Sequence, residues 1–248
     1  MKKFIIANWK CNPGSLAQAK ELFNSVRQGI VGIKGLASEI VICPPFVFLP
    51  ELLSDFSKRK VEISNIKFGA QNCFYQPGAF TGEVSINMLK DLGAEYVIVG
   101  HSERRQNFGE TDEMVNKKIK AALEAELKVI LCVGETQKQR QVGKTDDILL
   151  EQLEVGLAGI PLKNALILVA YEPVWAIGTG DNCEPQDAGK ARLLIQEEIG
   201  ENAPILYGGS VNVKNARSYI DVGYNGVLIG GVSLKAEEFV KIVKNSCK

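Results

Sequence analysis

Residues 95–133 read EYVIVGHSERRQNFGETDEMVNKKIKAALEAELKVILCV, and this stretch decides the fold. Glu95–Val99 and Lys128–Val133 are short runs rich in β-branched residues. Between them lies a longer amphipathic stretch whose helix starts near Thr111. Tyr96 to Val99 and Val129 to Cys132 are apolar at consecutive positions, where a strand with one wet face would alternate. Strands covered on both faces are the signature of a parallel sheet with helical crossovers.

The same unit repeats outward in both directions. Toward the N-terminus the sequence predicts strands over Lys3–Asn8, Glu39–Cys43 and Ile66–Gln71, with helices over Ser15–Ile30, Pro45–Ser57 and Val84–Leu92. Toward the C-terminus it predicts strands at Leu166–Tyr171, with the apolar run reaching back to Ala165, and at Ile205–Tyr207 and Val227–Ile229. Helices start near Asp146, Pro185 and Asn212, and a last one spans Ala236–Asn245. Eight strand-then-helix units in 248 residues leave 31 residues for each, close to one βαβ step. An open doubly wound sheet would place a glycine-rich turn after its first strand, and Asn8-Trp9-Lys10 stands there instead. The expected fold is therefore α/β, a single closed (β/α)8 barrel. With no linker or low-complexity tract, residues 1–248 are read as one domain.

Composition excludes several functions. Lys plus Arg (29) balance Asp plus Glu (29), so no summed positive field exists to hold nucleic acid or an anionic membrane. Apolar runs fall well short of the roughly 20 residues of a membrane-spanning helix. Phe4–Ala7 is shorter than the apolar core of an export signal. Six cysteines (11, 43, 73, 132, 183 and 247) are scattered without a Cys-x-x-Cys pair and beside a single histidine, which implies neither a zinc site nor a disulfide framework. The expectation is a soluble protein of a reduced, cytoplasmic compartment.

Barrel enzymes work at the C-terminal ends of their strands. Here those ends carry Asn8 and Lys10, His101-Ser102-Glu103, Glu172, Gly208-Gly209-Ser210 and Gly230-Gly231. Glu172, flanked by Ala170-Tyr171 and Pro173-Val174-Trp175, either caps a neighbour or works as a desolvated base. His101 is the only histidine; it serves as a structural hydrogen-bonder or as a neutral imidazole at a helical turn through Ser102-Glu103. Lys10 is a surface lysine or the cation that a net-neutral protein needs to hold an anion. The glycine pairs are plain turns or places where backbone N–H groups approach a phosphate.

Ala7-Asn-Trp-Lys10, Val99-Gly-His-Ser-Glu-Arg-Arg105, Ala170-Tyr-Glu-Pro-Val-Trp-Ala-Ile-Gly-Thr-Gly180, Tyr207-Gly-Gly-Ser-Val211 and Ile229-Gly-Gly-Val-Ser-Leu234 together resemble the triosephosphate isomerase family over essentially the whole chain. The resemblance implies an aldose–ketose isomerase that interconverts dihydroxyacetone phosphate and D-glyceraldehyde 3-phosphate through an enediolate, in glycolysis and gluconeogenesis, without metal or organic cofactor. It assigns Glu172 as base, His101 as electrophile and Lys10 as catalytic cation and substrate ligand. The pairing of a Glu base with a neutral His is this family's own property and is taken over by resemblance. Asn8, Gly178, Gly209, Ser210, Gly230 and Gly231 follow as substrate-binding residues, with Ser102 and Glu103 in support; spacing leaves open whether Glu103 moves protons or holds Lys10.

Pro173–Gly180, with a stiff entry, an apolar middle and glycines at its exit, reads as a lid, again as in the family. Gln76-Pro-Gly-Ala-Phe-Thr-Gly-Glu83 is either a turn buried under its own helix or an interface. By resemblance it enters a second subunit, with Thr81 as the contact of a homodimer. The chain departs from the usual pattern at Cys11, Pro13 and Asn182-Cys183; Cys11 is read either as buried by packing or, beside Lys10, as a modifiable thiol at an interface, and Cys132 is expected to lie in the core. Two other functions fit the barrel. A Schiff-base aldolase needs a lysine inside a strand at the barrel centre, whereas Lys10 stands at a strand end. A scaffold that has lost turnover has no reason to keep Asn8, Lys10, His101 and Glu172 together.

Overall fold

The computed structural model describes residues 2–33, 36–58, 65–163, 166–178 and 182–246. Ala165, the lid exit at Thr179-Gly180, and Cys247 lie outside the described residues. Strands β1 (Phe4–Asn8), β2 (Glu39–Cys43), β3 (Ile66–Ala70), β4 (Tyr96–Val99), β5 (Lys128–Val133), β6 (Ile167–Tyr171), β7 (Ile205–Tyr207) and β8 (Gly226–Ile229) pair in sequence order, all parallel. The ring closes where Ile5 faces Val227 across β1 and β8, so the closed barrel expected from the repeat is present.

The consecutive apolar positions have a direct explanation. Ile6, Val41, Ile98, Ile130, Leu168 and Leu206 point inward and fill the barrel. Their neighbours Ile5, Ile40, Val97, Val129, Val169 and Ile205 point outward under the helices. Most strands thus supply residues to both cores, and apart from the partly buried Phe4, Lys67 and Lys128 the strand positions are buried.

Ten helices surround the barrel among the described residues: α1 (Leu16–Ile30), α2 (Leu49–Lys58), α3 (Ile86–Asp91), α4 (Ser102–Phe108), α5 (Asp112–Glu124), α6 (Gln137–Gln141), α7 (Thr145–Gly156), α8 (Pro185–Ile199), α9 (Ala216–Asp221) and α10 (Ala236–Ser246). Ser15, Ser85 and Thr111 cap α1, α3 and α5 by accepting backbone N–H groups that the first turn leaves unpaired. Two starts, those of α2 and α9, fall a full turn later than expected. The Phe48 N–H donates to the Pro45 carbonyl at 3.0 Å, closing a separate turn before α2. The Asn212 side chain accepts from the Lys214 and Asn215 amides, and this Asx turn delays α9 to Ala216.

The N-terminal floor of the barrel carries a polar plug. Glu39, at the start of β2, accepts from Lys2 and from the Tyr96 hydroxyl. The Lys128 Nζ lies 3.2 Å from Glu39 Oε1 and 3.0 Å from the Tyr96 hydroxyl. No helix among the described residues is long and apolar enough to cross a membrane.

Candidate active site

Because all eight strands run the same way, the strand-end residues share one rim. Glu172 leaves β6 with its N–H donating to the Val133 carbonyl of β5 at 2.8 Å. A Cβ on Gly134 would fall inside the Glu172 carbonyl, and one on Gly208 would stand 2.9 Å from Glu172 Cγ. Glycine at 134 is what lets β5 and β6 approach here. The carboxylate is 2 % exposed. Its Oε1 faces His101 Nε2 at 3.1 Å, and its Oε2 accepts the Ser102 N–H at 2.9 Å.

His101 follows β4 and occupies the N-cap of α4. Its Nδ1 accepts the Glu103 N–H at 3.3 Å, so that nitrogen presents a lone pair and the imidazole carries its proton on Nε2, toward Glu172. The expected helical turn is the first turn of a seven-residue helix.

Lys10 sits two residues beyond β1 with φ +53°, a conformation that a side-chain-bearing residue adopts only when its surroundings hold it. Asn8 Oδ1 accepts the Lys10 N–H at 3.0 Å, and Gln71 Nε2 donates to the Lys10 carbonyl at 2.8 Å. The Lys10 ammonium lies 2.5 Å from Glu103 Oε1. Of the two roles left open for Glu103, this geometry matches holding Lys10.

The glycines divide into two kinds. A Cβ at Gly209 would strike the Tyr207 hydroxyl, and one at Gly230 would stand 3.0 Å from Lys10 Cε. At Gly178 and Gly231 nothing lies within 4 Å, so both border open space. Ser210 links β7 to the lid. Its hydroxyl donates to the Ala176 carbonyl at 2.5 Å and accepts the Gly178 N–H at 3.3 Å.

Several working residues escaped the sequence reading. Glu135, buried just after β5, accepts from Trp175 Nε1 at 2.7 Å and from the Tyr171 hydroxyl at 3.2 Å. Burial pushes its carboxyl up, against the Trp175 hydrogen bond that lowers it. The Arg140 guanidinium stacks over the Trp175 ring at 3.7 Å. Buried Glu110 accepts the Gly100 N–H at 3.2 Å and pairs with Arg104 at 2.6 Å and Lys118 at 3.1 Å, bracing the segment that carries His101. Glu135 and Arg140 left one signal, the Thr136/Gln139 capping box that starts α6 beside them.

Cys132 lies inside the barrel, as expected. Burial, then the Glu172 charge, pushes its thiol well up, so it stays protonated beneath the carboxylate. Of the two readings of Cys11, burial within this chain does not hold, because its thiol is exposed here. It follows Lys10 on the loop after β1. The loop from Gln76 to Glu83 is exposed throughout, which rules out a turn buried under its own helix. Thr81, at its tip, makes none of the contacts above.

A carboxyl group facing an imidazole across 3.1 Å, with an ammonium on the same rim, is an arrangement suited to acid–base chemistry. Such groups gathered at the C-terminal rim of a closed barrel mark a candidate enzyme site. The sequence model of the family described as triosephosphate isomerase matches residues 3–246. The chain is 44 % identical to the triosephosphate isomerase of Endomicrobium trichonymphae over 99 % of both chains. It is 46 % identical to that of Alkaliphilus metalliredigens, over 98 % of this chain and 99 % of the relative. With that of Aquifex aeolicus it shares 43 % identity over the same proportions. The chain belongs to the triosephosphate isomerase family and is an isomerase.

Proposed function

We propose that this protein interconverts dihydroxyacetone phosphate and D-glyceraldehyde 3-phosphate through an enediolate, as a step of glycolysis and gluconeogenesis. The observation that carries the reading is the 3.1 Å approach of His101 Nε2 to Glu172 Oε1 in a buried site. Glu172 takes the proton from the carbon next to the carbonyl and returns it to the neighbouring carbon. His101, neutral with its proton on Nε2, donates to the oxygen on which charge develops. A hydroxyl proton moves from one substrate oxygen to the other by way of that imidazole, so the enzyme ends as it began. Lys10, steadied by Asn8 and Glu103, adds a positive charge to the same oxygens and to the phosphate.

In the resting arrangement both Glu172 oxygens are engaged, one by His101 and one by the Ser102 amide. The carboxylate leaves the Ser102 amide to reach a substrate carbon, and the lid closes over it and excludes water. Phosphate is held by Gly178, Gly209, Ser210, Gly230 and Gly231. The open space beside Gly178 and Gly231 and the exposed Gly178 N–H support this set.

The protein works as a homodimer in which Thr81 approaches the partner's rim. Support comes from the exposed loop around it, where Phe80 is left 37 % exposed with its ring tilted against Phe74 at 4.5 Å. A reduced, cytoplasmic setting is in keeping with Cys11, Cys43, Cys73, Cys132 and Cys183 all being free thiols. A coupled assay with D-glyceraldehyde 3-phosphate tests the reading: turnover without added metal or cofactor is expected, and a folded protein without turnover overturns it.

A further inference from the structure

Trp175 is held from two directions. Its Nε1–H donates to Glu135 at 2.7 Å, while the Arg140 guanidinium lies over its ring at 3.7 Å from the centroid. Arg140 stands on α6, outside every strand end. Its Nη2 is 3.9 Å from Asp187 Oδ2, in the first turn of α8, where the chain re-enters regular structure after the lid. One guanidinium therefore touches the entry of the lid and the helix beyond its exit. A cation stacked on indole is attracted by the ring's negative face, and the planar guanidinium suits that contact better than a lysine ammonium.

We propose that Arg140 is a positioning residue of the lid, holding Trp175 against Glu135 at rest and so setting how readily Val174–Gly178 moves over bound triose phosphate. The inference rests on the function proposed above and adds a regulator outside the reacting groups. Trp175 belongs to the 3-10 turn Val174–Ala176 of the lid, so movement of that turn shifts the indole relative to Glu135 and Arg140. Loosening the clamp enlarges the fraction of molecules with the lid free to close, and apparent affinity rises by the same factor while the resting state dominates.

The test measures the dissociation constant of 2-phosphoglycolate, a phosphate-bearing carboxylate shaped like an enediolate, together with kcat, KM and the thermal midpoint. Arg140→Gln is expected to bind the probe about 2- to 5-fold more tightly, the size of one exposed cation–π contact. KM should fall in parallel and kcat should not rise. Arg140→Lys, which keeps the charge but loses the flat stack, is expected to fall between Arg140→Gln and the parent, and it carries the test should Arg140→Gln fail to fold. Asp187→Asn keeps the stack and should bind like the parent. Unchanged or weaker probe binding in the folded Arg140 variants overturns the proposal. So does an Asp187→Asn variant that reproduces the whole effect, because Arg140 would then only brace α6 against α8. A parent that neither binds the probe nor turns over triose phosphate would instead sink the proposed function.

Discussion

His101 and Glu172 meet at 3.1 Å, and the imidazole's other nitrogen is committed to the Glu103 N–H. The imidazole's Nδ1 is thereby occupied, and its Nε2 is turned to the carboxyl group, before substrate arrives. Glu172→Asp keeps the charge but withdraws the carboxylate by about 1 Å, a misplacement that costs roughly 100-fold in kcat. His101→Gln removes the imidazole donor and is expected to cost about 100- to 1,000-fold. Steady-state kinetics on triose phosphates decide both, and parent-like turnover in either variant would show the role to be wrongly assigned.

Gly231 and Gly208 provide a paired steric test. A methyl group on Gly231 meets nothing within 4 Å in the free protein, so Gly231→Ala should leave the thermal midpoint unchanged. Its KM should rise several-fold if that space holds the phosphate. In Gly208→Ala the methyl presses on Glu172 Cγ from 2.9 Å, so kcat should fall and KM should change less. Equal KM values for Gly231→Ala and the parent would place the phosphate elsewhere.

Thr81→Arg puts a long cation at the tip of an exposed loop. Activity is expected to fall as enzyme is diluted, with sedimentation showing monomers under the same conditions. A fully active monomer would remove the dimer from the mechanism.

The barrel floor predicts a pH dependence separate from catalysis. Burial raises the Glu39 carboxyl, but the Lys2 hydrogen bond and the Lys128 charge outweigh it, and the net direction is down. A carboxyl depressed in the folded state contributes stability that is fully present above its unfolded value, near about 4.3, and is lost as pH falls through the lower folded value. Glu39→Gln should lower stability at pH 7 by about 1–3 kcal/mol, with the gap to the parent closing in acid. Thermal midpoints between pH 7 and pH 3 measure this, and a gap independent of pH would refute it.

Much of the fold was legible because burial on both faces of a strand writes consecutive apolar residues, and β5 and β7 match the expected limits residue for residue. The starts of α2 and α9 were misplaced because local turns at Pro45 and Asn212 outcompete helix, and hydrophobic periodicity does not report such turns. The strand-end side chains were legible from topology alone. The clamp on Trp175 was not, since Glu135 and Arg140 meet it only after β5 and β6 are aligned side by side. Residue type favours burial for cysteine, but at Cys11 the position on a loop after β1 leaves the thiol exposed on this chain.

The close approach at Gly134 has an evolutionary corollary. The anchor point of the base is dictated by how tightly two main chains nestle, so no side chain at 134 can be tried without evicting Glu172 from its station. New chemistries grafted onto this scaffold can vary the loops, and the side chain at 172 with them, as long as position 134 stays glycine.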